Sequence, residues 1–345
     1  MPARAVSATR SLDDVARRAK VSTATVSRVL NNVSVVRMST RERVLQAIAE
    51  LKYVPNLNAR TLAGGTSRTL GMIVSNLENP FFLDIFRALD ADAHRQGFDV
   101  LVANTNYRPE RLATSVRLML GRRVSGLAIV VSEMDRAILH EFAGSSLPVA
   151  FYDVGESGSP FTSIRTDYRA GMRAILEHLH GLGHRRIAFV GHHTALGPLH
   201  ARRHAFLRTA TTLTTKVKTM TVASADGSDG GRRAAREILA SGFSPTAIVC
   251  VNDVMAVGVL HEMRVRGIKV PDDVSVTGFD NVGLAEFTAP GLTTANIPRE
   301  EIGRLICAAL LAPSRRRRTP VAEIILQPEL VVRDSTGPVS RANRR

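Results

Sequence analysis

Apolar positions follow two rhythms along this chain. Between Ser11 and Tyr53 they recur at helical spacing in short segments. Val15, Ala16 and Ala19 stripe a first helix, Val26, Val29 and Leu30 a second, and Val44, Ile48 and Leu51 a third from Thr40 to about Tyr53. Ser11 with Asp14 makes a capping-box pair, Lys20-Val21 a tight turn, and Ser22 a cap for the second helix. Pro55 ends the third. From Leu70 onward, short apolar runs (LGMIVSNL, FDVLVANT, GLAIVVS, PVAFYDV, RIAFVG, TAIVCVND, SVTGFDN) each end in small or polar residues. Helical patterns lie between them at 82–96, 111–122, 169–182, 200–211, 231–241, 254–266 and 299–311. Apolar strands alternating with helices predict parallel sheets covered on both faces. The fold class expected is therefore a multi-domain chain, with a small all-α helix-turn-helix head ahead of a doubly wound α/β core.

The second helix of the head is too polar on one side to exist for packing. Thr23, Ala24, Thr25, Ser27 and Arg28 are left facing outward, and short polar side chains with one Arg fit a DNA major groove. Arg28 suits guanine O6 and N7, Thr23 or Ala24 a thymine methyl, and Thr25 and Ser27 phosphate oxygens. Residues 56–65 carry an N-cap, one or two helical turns and a Gly pair as stop signal. A helix this short is marginal alone in water and forms only when something packs against it. The boundaries expected are a disordered 1–10, a head at 11–55, a hinge helix and linker at 56–68, a core at 69–334 and a basic tail at 335–345.

Charge sharpens the partner. The chain has 345 residues and a net charge of +15, and residues 1–68 hold twelve Lys/Arg against four Asp/Glu. That excess at the N-terminus points to a polyphosphate, double-stranded DNA. Two Cys with no ligand spacing fit a reducing cytoplasm, and the nucleoid is the expected location. No secretory h-region and no membrane-length apolar run is visible. No dinucleotide fingerprint, P-loop or placeable catalytic triad points to an enzyme, so no catalytic residue and no cofactor is expected. His200 and His204 lie four apart, with His192-His193 before them, but no Cys or carboxylate completes a metal-ligand set.

The segment VSTATVSRVLNN, followed by TRERVLQAIAELKYVPNLNARTLAGG, resembles the N-terminal region of the LacI/GalR family of bacterial transcription regulators. A fainter similarity runs on to PELVVRDST at 328–336. The resemblance implies a core of two subdomains like periplasmic binding proteins, crossed three times by the chain. The N-subdomain would take about 69–165 and 295–320, the C-subdomain about 166–294 and 321–334. It implies base contacts at Thr23, Ala24 and Arg28, with Ser22, Asn31, Arg41, Asn56 and Ala59 as further DNA contacts. It also implies a minor-groove wedge at Leu62, a residue that alternatively packs against a twin hinge helix. One departure is Arg37-Met38 where the family has Ser or Asn capping the third helix, a role Ser39 is expected to assume.

Ligands of doubly wound sheets bind beyond the carboxyl ends of the strands. Asp153, Asn252, Asp253 and Asp280 stand at such ends, and Arg202 opens a helix. Carboxylates with an Arg suit a polyol. The resemblance places a sugar-type effector among these residues, with Asn79, Phe81 and Phe82 contributing from the first strand–helix turn. Ala205, where the family often has Gly, and Ala295, in place of a Gln common after Thr-Thr, depart from its pattern near that pocket. The function expected is a sequence-specific DNA-binding repressor controlled by a small-molecule effector. It would act as a homodimer, because two-fold symmetry doubles the base pairs read on a pseudo-palindromic operator. The alternatives are a periplasmic-type sugar receptor, which has no use for residues 1–65, and a ligand-free nucleoid protein, which has no use for so long a core.

Overall fold

A computed structural model describes residues 10–30, 35–54, 67–134, 138, 141–142, 146–153, 161–193, 197–312 and 323–340. The chain divides into two compact units, residues 1–66 and 67–345.

The first unit is a three-helix head. Helices α1 (Leu12–Ala19), α2 (Thr23–Leu30) and α3 (Met38–Leu51) enclose Val15, Ala16, Ala19, Val26, Val29, Val44 and Ala47. The Ser11–Asp14 capping box forms in both directions: Asp14 N–H donates to Ser11 Oγ at 3.2 Å and Ser11 N–H to Asp14 Oδ2 at 2.9 Å. Ser22 caps α2, its Oγ accepting from Thr25 N–H at 3.2 Å. The third helix differs from expectation. It starts at Met38, Arg37 holds the N-cap position with no side-chain cap bond, and Ser39 lies inside the first turn rather than capping it. The first turn is nonetheless closed by backbone, since the Arg37 carbonyl accepts from Thr40 and Arg41. The expected disordered 1–10 and hinge 56–65 fall, apart from Arg10, outside the described residues.

The second unit holds two six-stranded sheets. The first is built from β1 (Thr69–Val74), β2 (Asp99–Asn104), β3 (Gly126–Val130), β4 (Val149–Tyr152), β5 (Thr162–Thr166) and β11 (Ile324–Leu326), in the order β11-β5-β4-β3-β1-β2, all parallel. Helices α4 (Pro80–Arg95) and α5 (Pro109–Gly121) connect its early strands. The second is built from β6 (Arg186–His192), β7 (Lys218–Ser224), β8 (Ala247–Cys250), β9 (Ser275–Asp280), β10 (Thr293–Asn296) and β12 (Glu329–Val331), in the order β12-β10-β9-β8-β6-β7. Only the short edge strand β12 runs antiparallel. Its helices are α6 (Tyr168–Gly181), α7 (Gly197–Thr212), α8 (Ser228–Ala240) and α9 (Asp253–Val265). Strands such as β3, β4, β8 and β9 are buried at every position, which requires helices on both faces.

Helix α10 (Arg299–Leu311) returns to the first sheet and packs on α4. Gly303 allows the approach, since a Cβ there would stand 2.5 Å from the Ile85 carbonyl oxygen. The chain thus crosses between sheets at Asp167, at Ile297-Pro298 and at Gln327-Pro328. The second and third crossings lie later than the sequence suggested. Thr293–Asn296 pairs wholly with β9, and Ile324–Leu326 extends the first sheet rather than the second. In each sheet the strand order reverses direction between the first strand and its third, β1/β3 and β6/β8, which is where open α/β sheets bind ligands.

Helices α8 and α9 pack through reciprocal glycines. A Cβ at Gly231 would lie 2.0 Å from the Met255 carbonyl oxygen, and one at Gly258 would lie 1.9 Å from that of Ser228. Both obstacles are backbone, so neither can rotate away. Gly231→Ala is expected to lower the unfolding free energy by about 1–3 kcal/mol, as overpacking does. Gly121→Ala, with nothing within 4 Å, is expected to be neutral or mildly stabilising. Urea unfolding of both variants separates the two outcomes.

Candidate functional site

The site follows from the two reversal points facing one another. The residues after β1 and β3 (Asn79, Val131, Ser132), those after β6 and β8 (Pro198, Leu199, Arg202, Asn252) and Asp280 at the end of β9 line one cavity, with Phe81, Phe82, Tyr107, Tyr152 and Tyr168 as its aromatic walls. The space open to a water-sized molecule is about 20 Å³, room for one water. The two subdomains therefore stand closed on each other.

Arg202 is the centre of this cavity. It is 4% exposed, and its guanidinium lies between two rings, 4.7 Å from the Tyr168 centroid and 4.5 Å from that of Phe279. Nη1 donates to the Val251 carbonyl at 2.7 Å and Nη2 pairs with Asp280 Oδ1 at 2.8 Å, while Nε has no hydrogen-bond partner. Burial disfavours the guanidinium charge, but Asp280 together with Tyr168 and Tyr152 outweighs it and holds Arg202 protonated well beyond the usual range. Asp280, 2% exposed, sits at the last position of β9 with φ +113°, outside the region L residues favour. Burial lifts its pKa to about 6 although Arg202 and Arg299 pull it down. Arg299 fixes that strained corner. It donates to the carbonyls of Asp280 and Asn281, the latter at 2.7 Å, and its Nε bonds Asp84 of α4 at 3.0 Å.

The expected effector residues divide. Asn79, Phe81, Phe82, Arg202, Asn252 and Asp280 line the cavity. Asp153 and Asp253 do not. Asp153 accepts from Thr166 N–H at 2.8 Å and from the Tyr168 hydroxyl, so it ties β4 to β5 and to α6 behind the wall. Asp253 is fully buried, accepting from Thr294 Oγ1 at 2.6 Å and Val282 N–H at 2.8 Å. Asn79 and Asn252 each also cap a helix, α4 and α9 respectively. Ala205 is buried, does not line this cavity and borders the groove beyond Tyr168, so its methyl is accommodated.

Asp226 is the group that motif reasoning missed. It lies in the loop after β7 and reaches both subdomains. Its Oδ2 accepts from Tyr107 Oη at 2.7 Å and Asn76 Nδ2 at 3.3 Å, and its Oδ1 from Asn252 Nδ2 at 2.9 Å. Tyr107, held at φ +57°, also packs its ring on His192 across the cleft, with centroids 5.0 Å apart. Beneath them the buried Glu133 gathers the ends of β1, β2 and β3 through Ser75 Oγ at 2.6 Å, Thr105 Oγ1 and Ser132 N–H at 3.1 Å. No spacing rule picks out a single Asp in an Ala-Asp-Gly loop, because two of its three partners lie 119 and 150 residues away.

In the head, Ala24 and Arg28 of α2 are exposed, while Thr23, Thr25 and Ser27 are half-buried beside the buried Val26 and Val29. Ser22 is exposed and Arg41 half-buried in α3. Asn31, Asn56, Ala59 and Leu62 lie outside the described residues.

Residues 11–56 match the family of bacterial regulatory proteins of the lacI type, and residues 176–336 match the periplasmic binding protein-like domain. The HTH-type transcriptional repressor PurR of Photobacterium profundum is 30% identical over 327 residues, covering 94% of this chain and 98% of its own length. This chain belongs to the LacI family. The Lac repressor dimer bound to operator and the anti-inducer ONPF superposes with a TM-score of 0.81 at 31% identity, covering 95% of this chain and 99% of that one. The transcriptional regulator CelR in complex with cellobiose gives 0.65 at 25% identity, with 94% and 99% covered. The LacI-family chain is thus a DNA-binding transcription repressor controlled by a small molecule, and not an enzyme. Among its described residues no helix is long and apolar enough to cross a membrane, and no cluster of three metal-ligating side chains occurs.

Asp253 gives this regulator a pH signature. Burial, with the neighbouring Asp280 charge, lifts its pKa from 3.8 to about 8 against the pull of Thr294 and Val282. A carboxyl with a raised folded-state pKa contributes its full stability below about pH 4, and loses it as pH rises toward 8. Stability measured by urea unfolding is expected to fall from pH 5 to pH 8, with Asp253→Asn flattening part of that fall. An unchanged slope in the variant would contradict the assignment.

Proposed function

We propose that this repressor binds a pseudo-palindromic operator as a homodimer, and that a polyhydroxylated effector of the sugar class, held between Arg202 and Asp280, sets its affinity. The observation that carries the effector reading is the Arg202 Nε, buried and without a partner, beside a carboxylate at the reversal points of both sheets. Vicinal hydroxyls satisfy a guanidinium donor and a carboxylate acceptor together. Phe81, Phe82 and Tyr168 offer faces for the apolar side of a ring. The CelR–cellobiose complex is a relative that binds such a molecule.

The dimer reading is supported by the Lac repressor dimer and by an exposed apolar surface. Phe287 is 81% exposed, and Leu83 and Leu284 border a groove between α4 and the start of α10. An exposed apolar patch of this kind marks a partner site. On DNA, Arg28, Thr23 and Ala24 read base edges, while Ser22, Thr25, Ser27, Asn31, Arg41, Asn56 and Ala59 hold the backbone. Leu62 wedges into the minor groove.

The control is a population shift. A ligand that requires the cleft open or closed moves the paired hinge segments, whose short helices fold only when packed. Linkage of this kind is worth about 1–3 kcal/mol. Cytoplasmic action on the nucleoid follows from this reading.

Binding-site selection from random DNA with the purified chain tests it. The expected result is a two-fold symmetric consensus. Arg28→Ala should relax one symmetric pair of positions and weaken specific binding by about 1–3 kcal/mol. A selection that returns no consensus would overturn the reading.

A further inference from the structure

On the far side of Tyr168 from the central cavity lies a second groove of about 340 Å³. Its walls come from both subdomains: Arg165 of β5 and Ile325 of β11 on one side, Arg169 of α6 with His204 and Arg208 of α7 on the other. Arg165, Arg169 and Arg208 all line this one groove. Arg165 is paired with Glu323 at 2.9 Å. Arg169 and Arg208 have no carboxylate partner among the described residues. The carboxylate at the groove, Asp167, is committed to capping α6 through Ala170 N–H at 2.9 Å. The groove thus gathers three Arg against one lining carboxylate, whose Oδ1 serves the helix cap.

We propose that this groove binds a small multivalent anion of the phosphate class. Planar Arg forks recognise phosphate oxygens in bidentate fashion, which suits Arg169 and Arg208. The volume falls within the range of small-molecule sites. A bound anion would also offset the excess of positive charge among the residues that line the groove. Since the walls belong to both subdomains, the anion favours one relative placement and is linked to the central cavity. The Tyr168 ring is common to both sites, stacking under Arg202 on one side and flooring the groove on the other. The site is a property of the core and holds whether or not the operator reading does.

Calorimetric titration of the full chain with sodium pyrophosphate at fixed ionic strength tests it. The variants are Arg169→Ala/Arg208→Ala and, because the basic head also draws anions, Arg28→Ala. The expected result is one saturable site per chain in the wild type and in Arg28→Ala. The double variant should bind at least tenfold more weakly with an unchanged unfolding temperature, since both side chains are exposed. Equal binding by the wild type and the double variant, or loss of binding in Arg28→Ala, would overturn the proposal.

Discussion

The core is organised around a charge that its interior cannot ignore. Arg202 is buried between two aromatic rings, with one carboxylate, Asp280, and one carbonyl as direct partners. Taking such a pair out of water costs several kcal/mol per ion, and the pair itself recovers that only with good geometry and further hydrogen bonds. Here the geometry comes from elsewhere. The strained Asp280 backbone is clamped from the first subdomain by Arg299 of α10, which is anchored to Asp84 of α4. An arrangement that leaves a buried donor open is weak support for stability. It is strong support for a ligand site, where the missing bond is supplied on demand.

The same logic explains why the two halves can move together as one switch. Closure includes a few polar contacts at the cleft, Asp226 with Tyr107 and Asn76, beside an apolar cluster that is continuous between the two subdomains. Each such bond is worth about 1 kcal/mol net, so open and closed forms lie within reach of a ligand's binding energy. The sheets beneath are rigid, with fully buried central strands and helices locked by reciprocal glycines. Displacement is therefore concentrated at the three crossings, and the first of these leads straight into Tyr168.

Much of this was legible in the sequence. The head could be read because each helix carries its own stripe and its own stop or start signal, and Ser11, Asp14 and Ser22 behave as their side-chain chemistry dictates. The buried strands were readable as apolar runs. Strands β5, β7, β10, β11 and β12 were not, since TSIRT, KTMTVAS and TTAN mix polar residues into the run, in TTAN even at fully buried positions, and β11 and β12 are only three residues long. The crossings slipped for the same reason, because a three-residue strand belongs to whichever sheet edge accepts it. At the site, strand-end reasoning found Arg202, Asn252 and Asp280. It also took in Asp153 and Asp253, which stand at equivalent ends but turn their carboxylates to backbone and hydroxyl donors. Asp226 and Tyr107 were invisible because their roles exist only once the two sheets face each other.

The central claim is that ligand held at Arg202 and Asp280 governs grip on DNA. The most direct measurement is fluorescence anisotropy of a selected operator, titrated with the chain and with Asp280→Asn across a panel of sugars and purines. The account predicts that one class of ligand changes wild-type operator affinity by about fivefold or more. It also predicts that Asp280→Asn binds the operator without responding. An identical ligand response in the variant would contradict it.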